Sequence, residues 1–267
     1  MLFDSHIHIF PDKLKGKVFN KLAKTANCNY YRDEGIEDAI SENSKNYVDY
    51  ALALHIATNP TQETAVNDFA IICENQHNNI INFGSVHPKS ENRISELHRL
   101  YQNGIKGIKL HPDYQDFMVD DKNVYDIYYE CEKLGLIITF HAGKDPYSPQ
   151  IVHATPKALK TVANDFKELT IIAAHMGGMG MYEDVKNHLA GTSNVYFDTA
   201  IMSNFLNVNQ FETLVNLHTA DKILFATDSP WSNAKNEKEL IEKSSLTVKE
   251  KNKIYYENAF NLFKINL

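Results

Sequence analysis

Read for apolar and polar positions alone, the chain opens on ten residues, Met1 to Phe10, that alternate with a period of two. That is the signature of a strand, with Asp4, His6 and His8 expected on one face and Phe3, Ser5, Ile7 and Ile9 on the other. Seven further apolar runs follow: Tyr50–Ala57, Ile80–His87, Ile105–His111, Leu136–Ala142, Leu169–Met176, Val195–Ala200 and Lys222–Asp228. Each is short, rich in Ile, Val, Phe or Ala, and bounded by Gly, Pro or Asp, as buried parallel strands are.

Between the runs the apolar period lengthens to that of a helix. Thr61 to Gln76 places Val66, Phe69, Ala70 and Cys73 on one stripe. Ser90 can cap a helix carrying Ile94, Leu97, Leu100 and Tyr101, with Gly104 to end it. Asp121 to Leu134 is closed by Gly135, and Thr155-Pro156 opens a helix with Leu159, Val162 and Phe166. Weaker helical patterns cover Tyr182–Ala190 and Asn209–His218, and the chain closes with Glu237–Lys243 and Thr247–Phe263. Eight strands alternating with helices predict an α/β fold with a parallel sheet, and the length suits a (β/α)8 TIM barrel. An open doubly wound sheet would show a Gly-rich turn after strand one, which is absent. The polar stretch from Pro11 to Asn46 reads as an insertion after strand one, with a short helix near Lys17–Thr25 and a turn at 30–35. Residues 1–267 are read as a single domain.

Composition narrows the function classes. A net charge of −7 argues against a general nucleic-acid binder. No run approaches the roughly 18 apolar residues of a membrane span, and no basic region precedes an apolar leader. Cys28, Cys73 and Cys131 are odd in number and widely spaced, so neither a disulfide framework nor a zinc ribbon is indicated. A cytoplasmic protein with a small-molecule partner is expected, with homo-oligomers open.

The chemistry gathers where barrels keep it, at the C-terminal strand ends. Strand one supplies His6 and His8, strand four Lys109 and then His111, strand five His141, strand six His175 and strand eight Asp228. An isolated H-x-H is more often two hydrogen-bonded core histidines. Four histidines and an aspartate at strand ends, on what alternation gives as the inward face, instead suggest a divalent metal, because neutral imidazole and carboxylate are the ligands zinc and similar ions take.

At this point the chain resembles the amidohydrolase superfamily of metal-dependent barrels. The matching strings are FDSHIHIF, GIKLHP, FHAG, AHMGG, ATDSPW and the terminal YYENAFNLF, most similar to the branch that includes decarboxylases and lactone hydrolases. The resemblance implies a divalent ion, usually zinc, held by His6, His8, His141 and Asp228. His175 would sit beside the reacting water or on a second ion. Lys109 stands where many members carry a carboxylated, metal-bridging lysine; a plain ammonium there would orient a substrate anion. The related nuclease branch typically has Glu at that position.

The expected activity is hydrolysis of an amide, ester or lactone bond, with Asp228, His175 and Lys109 as catalytic residues and Asp228 moving the proton. The alternative is metal-dependent, non-oxidative decarboxylation of a small acid, for which Arg32 is a candidate carboxylate partner. A metal-bound but catalytically silent protein is the third reading. Tyr30, Tyr31, Tyr114 and Trp231 are candidate pocket walls, His111 a candidate support for the ligands, and His55 and His87 structural. Asp4 and Asp198 are expected to point inward and orient ligands.

Overall fold

The computed structural model describes residues 1–33 and 35–265, so Glu34, within the expected turn at 30–35, lies outside the described residues. Among the described residues there are eight parallel strands: β1 Phe3–Ile7, β2 Tyr50–Leu54, β3 Ile80–Phe83, β4 Gly107–Leu110, β5 Ile137–Phe140, β6 Ile171–Ala173, β7 Val195–Asp198 and β8 Ile223–Leu224. Continuous ladders join β1–β2–β3 and β4–β5–β6–β7–β8. The two seams carry isolated bridges instead, Ile7 to Ser229 and Gly84 to Ile108. The architecture is a (β/α)8 barrel whose ladder is not continuous around the ring.

Glycines allow the second seam. A Cβ on Gly107 would meet the Ile137 carbonyl oxygen at 2.5 Å, and one on Gly84 would meet the Leu100 methyls at 2.6 Å. Their absence lets Gly84 N–H reach Gly107 O at 3.1 Å and Lys109 N–H reach Gly84 O at 2.8 Å.

Strand parity can be read from what each face buries. Leu52, Leu54, Ile81, Phe83, Ile137, Ile172 and Leu224 come from both sheets and share one cluster, so they face the barrel interior. Phe260 and Phe263 of the last helix, Asn258–Phe263, join them and plug one end. Two expectations are corrected here. The β1 pairing shifts register between Asp4 and Ile7. Phe3 therefore joins the interior cluster, while Asp4 faces the helix layer beside Glu42 and Asn43. In β6 the interior residue is Ile172, and Ile171 and Ala173 face the helices, the reverse of the expected alternation.

The helices fall close to their predicted places: Glu63–Gln76, Arg93–Gln102, Tyr125–Leu134, Pro156–Asp165 and Val208–His218. Thr155 caps its helix by accepting the Ala158 N–H. Tyr182–Ala190 is mostly one π turn, Val185–Leu189, and a second π turn, Lys253–Glu257, interrupts the last predicted helix. The insertion contains Val18–Ala26 and also Ile36–Lys45, a helix whose polar sequence hid it. Among the described residues no helix is long and apolar enough to cross a membrane.

Candidate metal centre

β1 delivers His6 from within the strand and His8 just beyond its end. The Nδ1 of His6 lies 2.9 Å from Asp198 Oδ2, and the Nδ1 of His8 lies 3.0 Å from the Leu54 carbonyl oxygen. Both partners accept, so the ring protons sit on Nδ1 and both Nε2 atoms are turned to the centre, where His6 Nε2 meets Lys109 Nζ at 3.4 Å. Those two Nε2 atoms converge on Asp228 Oδ1, at 3.3 Å from His6 and 3.2 Å from His8.

Asp228 and His175 reach the site by a route that strand alternation does not describe. β8 ends at Leu224 and β6 at Ala173. Asp228 has φ +62° and His175 φ +59°, both left-handed, and these turns aim the side chains where the strand period would not. Backbone bonds hold the turns: Asp228 N–H donates to His6 O at 2.9 Å, and His175 N–H donates to Asp198 Oδ1 at 2.8 Å. Thr227 is fixed in turn by Asp4, which accepts its N–H at 2.9 Å and its hydroxyl at 2.6 Å.

His175 donates Nδ1–H to the Ala200 carbonyl at 3.0 Å, and its Nε2 lies 3.0 Å from His141 Nδ1. His141 is thus turned the other way from the rest. Its Nε2 faces Asp145 Oδ2 at 3.6 Å, which also lies 3.6 Å from His111 Nε2. The expected ligand set is therefore divided. His6, His8 and Asp228 form one group able to hold a metal, His141 belongs to a second with His111 and Asp145, and His175 touches His141 and stacks obliquely near His6.

Charge in the centre follows burial. Desolvation pushes the Lys109 ammonium down to about 8 against the attraction of Asp198 and Asp228, and its Nζ stands 3.4 Å from His6 Nε2. Burial likewise lowers His6, His111 and His141, which keeps those imidazoles neutral. For Asp228 burial acts upward, but the surrounding His6 and His8 rings outweigh it and hold the carboxyl at about 2. Two imidazole Nε2 atoms, their Nδ1 atoms held by Asp198 and the Leu54 carbonyl, meet the Asp228 carboxylate at one point. That donor set fits a divalent cation.

Arg32 is neither solvated nor available to a substrate. It is buried, with Nε donating to Ser229 Oγ at 3.0 Å and other guanidinium protons to the His8 and Asp33 carbonyls. Tyr30 and Trp231 pack on Phe19 and hold the insertion down, Tyr114 stacks on His111 at 3.7 Å, and Tyr31 is exposed. None of the four lines the cavity of about 240 Å³ that opens beside His175, whose walls include Met176, Tyr182, Met202, Phe205 and Leu206. His55 pairs with Asn82 at 3.0 Å, and His87 accepts the Lys89 N–H. Asp145 and Asp113 escaped the sequence reading because they sit in loops. The one signal was their spacing, four residues after His141 and two after His111.

Comparison with known proteins bears on the fold and the family. No curated protein matches the chain. Solved structures match over nearly its whole length at low identity, which shows the fold. An uncharacterised TIM-barrel protein from Bordetella bronchiseptica superposes with a TM-score of 0.80 at 16% identity, covering 98% of both chains. A manganese-bound 5-carboxyvanillate decarboxylase from Novosphingobium aromaticivorans gives 0.75 at 14%, covering 99% of this chain and 96% of its own. A 2,6-dihydroxybenzoate decarboxylase from Rhizobium gives 0.70 at 16%, covering 99% of each. The family model described as amidohydrolase matches residues 3–265, and the chain therefore belongs to the amidohydrolase family.

Proposed function

We propose that the protein is a metal-dependent hydrolase that cleaves an amide, ester or lactone bond of a small molecule. The observation that carries this is the convergence of His6 Nε2, His8 Nε2 and Asp228 Oδ1, with both imidazoles oriented by a partner on the far side. These three residues would hold the ion. Zinc is our choice for two imidazoles and a carboxylate; manganese, present in the Novosphingobium enzyme, is the competitor. A bound divalent ion supplies a water of lowered pKa, about 7 in favourable sites, and polarises a carbonyl.

The chain's own groups do the rest. Asp228 takes the proton of the attacking water and passes it to the departing nitrogen or oxygen as the bond to the carbonyl carbon breaks. His175 Nε2 accepts a hydrogen bond from the attacking water, and Lys109 donates a hydrogen bond or charge to a substrate oxygen. The body of the substrate would lie in the cavity walled by Met202, Phe205 and Leu206, which suits an apolar or ring-bearing group.

Non-oxidative decarboxylation is the second reading, favoured by a buried cation, Lys109, that can receive a carboxylate, and by decarboxylases among the structural neighbours. One assay separates them. Metal-loaded protein is offered amides, esters, lactones and hydroxybenzoic acids in ¹⁸O water. Uptake of the label into product supports hydrolysis, and CO₂ release without uptake replaces it with decarboxylation. Asp228→Asn should lower kcat by about 10²–10⁴-fold, and full activity in that variant would sink the assignment.

A further inference from the structure

We propose that a second cation site lies on the outer side of His141, built by His111, His141 and Asp145 and completed by Asp113. Its distances are those of a coordination shell. Asp145 Oδ2 is 3.6 Å from both His111 Nε2 and His141 Nε2, and Asp113 Oδ2 is 4.0 Å from His141 Nε2. Ligands at 2.0–2.1 Å from a tetrahedral ion stand about 3.4 Å apart. All four side chains are at least nine-tenths buried.

Buried oxygens crowd the gap between them. His141 Nε2 faces two carboxylates and donates to the Lys144 carbonyl oxygen at 3.3 Å, a proton that an incoming ion displaces. Asp113 Oδ1 is satisfied by His153 Nδ1 at 2.9 Å and by the Ser148 hydroxyl. Asp113 Oδ2, wholly buried, has no hydrogen-bond partner among the described residues. Asp145 Oδ1 takes the Tyr147 N–H at 2.6 Å, which leaves Oδ2 for the cluster. Buried acceptors arranged around one point repel one another unless a cation stands between them. Two imidazoles and two carboxylates select a divalent ion of the zinc type.

His141 belongs to this group and not to that of His6, His8 and Asp228. The site would pin the loop carrying Asp145 to the start of the loop after β4. Occupancy does not depend on the inner ion, so the two sites can be counted separately.

The test is metal content of the full chain. Chelator-stripped protein is reloaded with Zn²⁺, passed through a desalting column, and zinc per chain is measured for wild type, Asp145→Asn, His111→Ala, Asp228→Asn and the D145N/D228N pair. Two ions in wild type, one in each single variant and none in the pair is the expected result. One wild-type ion that survives D228N but not D145N also supports the outer site and counts against the inner reading. One ion lost in D228N overturns the proposal, even where D145N weakens it, because Asp145 then only orients His141. Two ions unchanged by D145N and H111A, or no ion at all, overturn it as well. Thermal melts of the stripped proteins identify any variant that fails to fold; the isosteric D145N then decides against H111A.

Discussion

The Nδ1–H of His6 is donated to Asp198, and the same carboxylate receives the backbone N–H groups of His175 and Ala200. One buried aspartate thus sets a ring tautomer and the position of a second histidine. Asp198→Asn removes the charge while keeping the shape, and the affinity of the inner site for Zn²⁺ should fall about 10–100-fold. Competition against a chelator of known affinity measures this; an unchanged affinity would leave Asp198 with a packing role only. How far such detail was legible depended on the backbone. His6 and His8 alternate on a strand, and their shared direction was readable. The sequence offers His175 and Asp228 as candidates by type and position, yet the backbone that aims them is left-handed, which no alternation rule describes. Asp4 was misread because a register shift in β1 turns it outward. Asp145 lies on a loop, where neither period applies.

Elements rather than residues govern stability around the centre. The helix Val208–His218 is tied to β7 by its last residue: His218 Nε2–H donates to Val195 O at 3.0 Å, Nδ1 accepts the Gly191 N–H at 3.1 Å, and the ring stacks on Phe197 at 3.8 Å. Burial pushes this histidine down to about 4 from 6.5. The unfolded chain takes up the proton below pH 6.5 while the folded one refuses it until about 4. The contribution is complete above pH 6.5 and lost as pH falls through 4, up to ~3 kcal/mol in all. His218→Gln should flatten the loss of unfolding free energy between pH 6.5 and 4 in urea titrations; an unchanged acid slope would assign that loss to other groups. The β3–β4 seam makes a second prediction. Gly107→Ala forces a methyl against Ile137 O and the Phe83 ring and should cost about 1–3 kcal/mol. A urea midpoint that does not move would mean the seam can spread without loss.

At the scale of the whole molecule, the sequence announced the barrel because eight apolar runs and their amphipathic partners repeat one unit. It did not announce where the ladder thins, since seams depend on small residues and on strands as short as Ile223–Leu224. Ligand binding should report on the assembled ring. An ion at about 100 times its Kd adds about 2.7 kcal/mol to the folded state, provided the unfolded chain does not bind it. For a chain of this size that raises Tm by about 5–10 °C. Asp228→Asn should lose the part due to the inner site, measured by melting with and without Zn²⁺; an equal rise in the variant would place that ion elsewhere.

The bridge from Ile7 to Ser229 joins the first strand to the segment after the last. Its neighbour, the bond between Asp4 and Thr227, spans 223 residues of sequence. During synthesis at 5–20 residues per second, His6 and His8 therefore wait roughly 10–45 s before Asp228 exists to meet them. Until then the nascent chain offers only part of the inner centre. Metal capture is then a late event that marks completion of the ring, and a chain halted before β8 would be left without that means of retaining the ion.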